Sequence, residues 1–309
     1  MIIIFVVLLA IVIINSLLDS KKGERTFREE LVNIDIAKIT DILIYPRAEG
    51  HQEVKLRKTT NGWEVEKDKF KATADSNTVK NMLTTLQNIK PKRLAATDNS
   101  KWEEYQVNDS LGTRIMTIEK DKTTLDLIIG KFSFKQESRV TTSYVRLAEE
   151  ENVYAVDGIL SMTFNQGIDY WRNKTVIRGI AEDWTQLSFQ YPADSSFRLS
   201  RQNDKWMLNG ILTDSAKTAQ YINSIASLNN SNFVDEFKPT GIQPRFSLKI
   251  EGNNLFEPIE IKAFAADTTH QYILTSSQNP NTSFSGAQNK MIEKIFAGRR
   301  SFMQDVENE

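Results

Sequence analysis

The feature that most constrains this chain is an internal repetition. Val54, Leu56, Trp63 and Val65 recur as Phe197, Leu199, Trp206 and Leu208 at a single offset. In both copies apolar and polar residues alternate, the period of a half-buried strand. A polar turn precedes the Trp each time, "RKTTNGWEV" in one copy and "SRQNDKWML" in the other. Upstream, Tyr45-Pro46 answers Tyr191-Pro192. Downstream, Asp75 and Asp214 stand where a helix N-cap belongs, accepting from the free amides of a first turn. Val79, Met82, Leu83, Leu86 and Ile89 then follow at helical spacing on one face. Their partners are Thr218, Tyr221, Ile222, Ile225 and Leu228. A ligand site need not be duplicated, but a core must be. Trp63 and Trp206 therefore read as apolar anchors, packed on each copy's helix through residues such as Leu83 and Ile222.

The repetition continues less clearly. "IMTIEKDKTTLDLIIGKF" and "FSLKIEGNNLFEPIEIKAF" each read as a hairpin, with Met116, Ile118, Leu127 and Ile129 set against Leu248, Ile250, Ile259 and Ile261. Tyr144 answers Tyr272, and the copies close on "DYWRNK" and "GRRSFM", each a predicted short helix. The pattern predicts an α+β fold of two tandem mixed repeats. Each would be built of antiparallel β-hairpins with a packed helix, after one N-terminal transmembrane helix. The expected divisions are an anchor over 1–22, a juxtamembrane segment over 23–31, a first repeat over 32–178 and a second over 179–309.

The anchor rests on Ile2 to Ile14, "IIIFVVLLAIVII", which has no polar side-chain atom. With Leu17 and Leu18 it makes roughly 27 Å of helix against a hydrocarbon core of about 30 Å. Lys21 and Lys22 are placed to snorkel at its end. The rival is a cleaved signal peptide, which needs a basic leading region and a small-residue cleavage site, and neither is visible. Lys21, Lys22, Arg25 and Arg28 after the segment favour a cytoplasmic chain under the positive-inside rule. A single anchor ahead of a large polar domain favours the opposite. The expectation is a single-pass protein of the inner (cytoplasmic) membrane, with its bulk extracytoplasmic.

Gly62-Trp63, Ala74-Asp75, Val79, Leu83, Gly130, Tyr144-Val145, Val153-Tyr154 and Arg172 fall in an order that resembles a bacterial family, the domain of unknown function numbered 4340. The resemblance covers nearly all of the chain after the apolar segment. It departs at Tyr105-Gln106, where the family has Tyr-Gly. The resemblance implies a membrane-anchored, extracytoplasmic (periplasmic) protein, often encoded beside ABC-type transporter components, those of gliding-motility type among them. It carries over no catalytic residue.

The residues themselves point away from several chemistries. The 309-residue chain has no Cys, which excludes disulfides, thiol catalysis and Cys-ligated metals. Its 39 basic and 40 acidic residues leave no field that would draw nucleic acid. "GKF" at Gly130 lacks the loop that cradles phosphates. His51 and His270 lie in polar, loop-like surroundings, with neither H-E-x-x-H spacing nor a G-x-S-x-G elbow. Glu149, Glu150 and Glu151 read as a solvated turn, with a glycosidase-type carboxylate pair as the alternative. Lys90, Lys92, Arg93 and Lys101 near Trp102 read as a solvated link. Tyr170, Trp171 and Arg172 are hot-spot residue types. At the end of the first copy they would form a seam between the repeats or a partner surface.

No catalytic, cofactor-binding or metal residue is assigned, and no cofactor is expected. The expected function is a non-enzymatic, membrane-anchored accessory subunit of an envelope complex, with a protein partner such as an ABC-type transporter. The alternative is an extracytoplasmic binding module for a glycan, peptide or lipid. An envelope hydrolase, using two close carboxylates, stands third.

Overall fold

The computed structural model describes residues 28, 30–266, 272–287 and 290–304. It divides into two compact units, Met1–Trp171 and Arg172–Glu309. The sequence reading drew this line after Arg178. The apolar segment behind the anchor expectation lies outside the described residues. Among the described residues no helix is long and apolar enough to cross a membrane.

Unit 1 runs β1 (Asp41–Tyr45), β2 (Val54–Thr59), β3 (Gly62–Lys67), β4 (Phe70–Thr73), α1 (Ser76–Gln87), β5 (Pro91–Ala96), α2 (Trp102–Tyr105), β6 (Thr113–Glu119), β7 (Lys122–Lys135), β8 (Val140–Leu147), β9 (Val153–Asp157), α3 (Leu160–Phe164) and α4 (Ile168–Trp171). Its nine strands form one sheet in the order β4-β3-β2-β1-β6-β7-β8-β9-β5. Every neighbouring pair is antiparallel. The alternation of each strand decides which residues enter the core. Ile42, Ile44, Val54, Leu56 and Val65 are fully buried, together with Val79, Met82 and Leu86 of α1.

Unit 2 runs β10 (Thr175–Arg178), β11 (Trp184–Gln190), β12 (Phe197–Gln202), β13 (Lys205–Leu208), β14 (Ile211–Leu212), α5 (Ser215–Ile225), β15 (Ser227–Asn229), β16 (Phe246–Gly252), β17 (Ile259–Ala265), β18 (Tyr272–Ser276), β19 (Ser283–Ser285) and α6 (Met291–Ile295). Eight strands form a sheet in the order β14-β13-β12-β11-β16-β17-β18-β19, and β10 pairs separately with β15. The strand order of unit 1 therefore returns in unit 2, apart from the place of the strand after the long helix.

The α+β expectation is corrected: both units are mostly antiparallel sheet. Among the described residues α1 and α5 are the only helices longer than five residues. The expected hairpins do not stand as separate pieces around a helix. β1 bonds β2 on one side and β6 on the other, and β11 does the same with β12 and β16. Both hairpins of a unit thus merge into one sheet. Period-2 alternation marks a strand but does not tell whether its second edge is taken.

The register of the second hairpin is corrected too. Ile115 and Thr117 are fully buried, whereas Met116 and Ile118 are half-buried and point to the opposite face. Ile115 pairs with Leu127 as Leu248 pairs with Ile261. A one-residue slip exchanges the two faces of a strand.

Each unit is tied at one point around its helix cap. Asp75 Oδ1 accepts from the Thr78 amide at 2.9 Å, and Asp214 Oδ1 from the Lys217 amide at 2.9 Å. The preceding residues reach back to the Trp strand: Ala74 N donates to Trp63 O at 2.8 Å and Thr213 N to Trp206 O at 3.1 Å. The cap amides then bind the closing segment, Asp75 N to Trp171 O at 2.7 Å and Asp214 N to Phe302 O at 2.9 Å. Trp171 and Phe302 are both fully buried. Trp63 and Trp206 are half-buried, packed against the core of their own unit.

Candidate binding groove

The two sheets differ on the face that points away from the long helix. In unit 1 this face is closed by the segment between β5 and β6, which contains α2. Leu127 and Ile129 belong to the main core, but Ile128 between them joins Tyr144, Val153 and Ala155 in a second cluster. Val107 is buried in that cluster, and Trp102 and Tyr105 pack on it. Arg146 is buried at the centre. Its guanidinium stacks on the Trp102 ring at 3.7 Å, and it donates to the carbonyls of Val107 at 3.1 Å and Ala148 at 2.9 Å. Backbone carbonyls and an aromatic face thus stand in for the water this cation loses.

The closing segment can lie so low because two residues lack side chains. A Cβ on Gly130 would come 2.2 Å from Tyr105 O, and one on Gly112 2.4 Å from Ile128 Cγ2.

In unit 2 the same face carries Glu260, Lys262 and Phe264 on β17, and Ile273 and Thr275 on β18. Lys262 sits opposite Thr275 as Ile128 sits opposite Arg146. Phe264 stands two residues past Lys262, where unit 1 has Gly130 two past Ile128. The cover segment, 230–245, begins tightly. Arg172, itself buried, forms a bidentate ion pair with Asp235, one arm at 2.9 Å, and lies over the Phe233 ring at 3.6 Å. Asn230 Nδ2 donates to Ser285 O at 2.8 Å.

Beyond Asp235 the cover rises. Phe237 meets Phe264 with ring centroids 5.4 Å apart. Between the sheet and the Pro239–Pro244 arch a groove of about 710 Å3 stays open, its floor formed by Gln190, Ser247, Glu260, Lys262 and Thr275. A recess of about 240 Å3 continues it past Ser188 and Lys249. That volume lies in the range of small-ligand sites.

The lining is mixed: the arch side brings Phe237, Pro239, Ile242 and Pro244 with Phe264, and the floor brings hydrogen-bonding groups. The floor offers amides, hydroxyls and the partly exposed Lys262–Glu260 ion pair at 3.1 Å, and Lys249 of the recess pairs with Glu251 outside it at 2.8 Å. Among the described residues no group of three or more His, Asp or Glu side chains is placed to hold a metal.

Several carboxyls of unit 1 are shifted, and the shift is downward. Burial resists ionisation of Asp41, but hydrogen bonds from Arg57 and Lys55 outweigh it and hold the group below 3.8. Lys71 chiefly holds Glu66 below 4.5. A general acid needs the opposite shift.

The residues singled out from the sequence do not converge. Tyr170 is half-buried and meets Trp171 edge-on at 4.8 Å. Trp171 fills the unit 1 core, and Arg172 is the buried ion-pair partner in unit 2. His51 Nε2 lies 2.9 Å from Gly112 O, and His270 is outside the described residues. Of the glutamates, Glu150 binds Arg28 at 2.8 Å and accepts from the Tyr154 hydroxyl at 3.1 Å. The groove escaped sequence reading. The signal that could have found it was a mismatch between copies, Gly130 against Phe264 and Arg146 against Thr275.

The family described as domain of unknown function DUF4340 matches residues 63–244, more than half of the chain. The chain belongs to the DUF4340 family. The DUF4340 match opens at Trp63 in β3, takes in both capped helices and ends at Pro244 on the rim of the groove. No curated protein and no solved structure matches the chain.

Proposed function

We propose that this DUF4340 chain is a non-enzymatic accessory protein of a bacterial envelope assembly, which recognises a partner through the groove of unit 2. One observation carries the reading. Two units of the same strand order differ in that one seals its outer sheet face with Trp102, Tyr105 and Val107, while the other leaves it as a groove with a polar floor. Cores and caps are kept in both units, so the difference is confined to a face that stability does not need open.

In this reading the apolar segment Ile2–Leu18 is an inner-membrane anchor and both units lie outside the cytoplasm. The partner is a component of an ABC-type transporter, and it presents an extended polar segment to the groove. The hydroxyl and amide lining also favours a second reading, a binding module for a free glycan or peptide.

The test is co-purification in gentle detergent, comparing the unaltered chain with Thr275→Trp, which fills the groove from its floor. The proposal expects a defined membrane partner with the unaltered chain. It expects loss of that partner from the variant at an unchanged melting temperature. A partner retained by the variant contradicts the groove. A lone monomer across several detergents and crosslinkers contradicts the accessory role.

A further inference from the structure

A second opening in unit 2 has a chemistry of its own. It lies at the start of β12 and β16, where Tyr191, Phe197 and Phe246 surround a pocket of about 530 Å3. Tyr191 and Phe246 meet edge-on with centroids 5.6 Å apart, and Tyr191 stacks on Phe197 at 5.9 Å. The Tyr191 hydroxyl is held by Ala297 O at 2.8 Å, which fixes that wall.

Two guanidiniums sit at the mouth. Arg299 is held in place through Nη2, which donates to Asp194 O at 3.1 Å and to Ser196 O. Arg245 is exposed, directly ahead of Phe246. Among the described residues neither has a carboxylate within ion-pair distance, and Asp194 is the one carboxylate of the lining.

The corresponding corner of unit 1 is narrower, an opening of about 230 Å3 partly closed by its own side chains. Asn165 Oδ1 accepts from Ala48 N at 2.8 Å and from Thr113 Oγ1 at 3.3 Å. Glu49 pairs with Lys67 there, and a Cβ on Gly167 would come 2.1 Å from Glu49 Oε1. Unit 2 has Phe246 where unit 1 has Thr113, at the first position of the equivalent strand.

We propose that this pocket binds a compact oxyanion, a carboxylate or a phosphate ester, carried on an aromatic or apolar body. The body packs on Tyr191 and Phe246, and the oxyanion is taken by the planar donors of Arg245 and Arg299. Guanidinium pairs with both anions in a bidentate fork, and aromatic walls favour edge-on or offset rings. The site is separate from the groove, and its test does not depend on the groove being used.

Calorimetric titration of the full chain in detergent with four probes decides the matter. These are phenyl phosphate, N-acetylphenylalanine, its neutral amide, and inorganic phosphate. At least one of the two anionic aromatic probes is expected to bind about tenfold more tightly than the amide and than inorganic phosphate. Arg245→Gln is expected to weaken that probe about tenfold while leaving the melting temperature unchanged, since Arg245 is exposed. Phenyl phosphate binding the tighter identifies a phosphate ester as the natural group; N-acetylphenylalanine binding the tighter identifies a peptide C-terminus. Equal binding of the amide, indifference to Arg245→Gln, or no binding of any probe at millimolar concentration overturns the proposal.

Discussion

Unit 1 and unit 2 share a strand order and part company on the outer face of the sheet. Unit 1 lays Trp102, Tyr105 and Val107 over Ile128 and Tyr144, with Arg146 buried in the middle. Unit 2 puts Lys262, Ile273 and Thr275 at the matching places, with Phe264 where unit 1 has Gly130, and holds its cover off the sheet. The edges differ as well. β5 extends the first sheet beside β9, whereas β15 leaves the second sheet to pair with β10. What both units keep is the face packed on the long helix, and with it the bonds among Trp strand, cap aspartate and closing aromatic. In the proposed function, stability and recognition fall on opposite faces of one sheet.

The comparison can be broken most forcefully at the closing aromatics. Trp171→Ala and Phe302→Ala each remove a fully buried ring and are expected to cost about 4 kcal/mol. Calorimetry should show each variant lowering the melting transition of its own unit; one variant lowering both transitions equally would refute independent cores.

The sealed face comes next. Gly130→Val drives a side chain against Tyr105 O and is expected to cost unit 1 about 3 kcal/mol. Thr275→Trp, at the open face, is expected to cost less than about 1 kcal/mol by denaturant titration. Comparable losses would mean that both faces are equally closed.

The caps should respond alike. Asp75→Ala and Asp214→Ala are each expected to cost about 1 kcal/mol, because each leaves a first-turn amide without its acceptor. An unchanged melting temperature in either variant would remove the cap from the account.

The smallest expected effect is electrostatic. Asp41 and Glu66 have depressed pKa values in the fold, so their contribution is present above 3.8 and 4.5 respectively and is lost as pH falls through the depressed values. Thermal melts on acidification should show unit 1 losing less than about 1 kcal/mol from this source, because such pairs are partly hydrated. Asp41→Asn should flatten that part of the slope; an unaltered slope would assign it elsewhere.

Much of the buried half was legible in the sequence, because it is local. The Asp75 and Asp214 caps, the Val79-Met82-Leu83-Leu86 face and the Trp63 and Trp206 alternation each need only a few neighbouring residues. The α+β reading failed where pairing is long-range. Nothing in "DILIY" reveals that β1 bonds β6 as well as β2. The register failed in "RIMTIE", where Ile115, Met116 and Ile118 supply apolar side chains to both faces. The groove was illegible for a different reason: it goes with two exchanges between the copies, Phe264 for Gly130 and Thr275 for Arg146, that face a segment distant in sequence.

The central claim, that the outer face of unit 2 is open and occupied by a partner while that of unit 1 is closed, can be read with thiol chemistry. The chain has no Cys, so an introduced one is the sole label site. Thr275→Cys in the groove and Asn61→Cys in an exposed turn of unit 1 would be labelled with maleimide, in purified protein and in native membranes. The account predicts rapid labelling of both in purified protein, and slowed labelling of Thr275→Cys alone in membranes. Slow labelling of Thr275→Cys in purified protein, or equal rates for it in both settings, would contradict it.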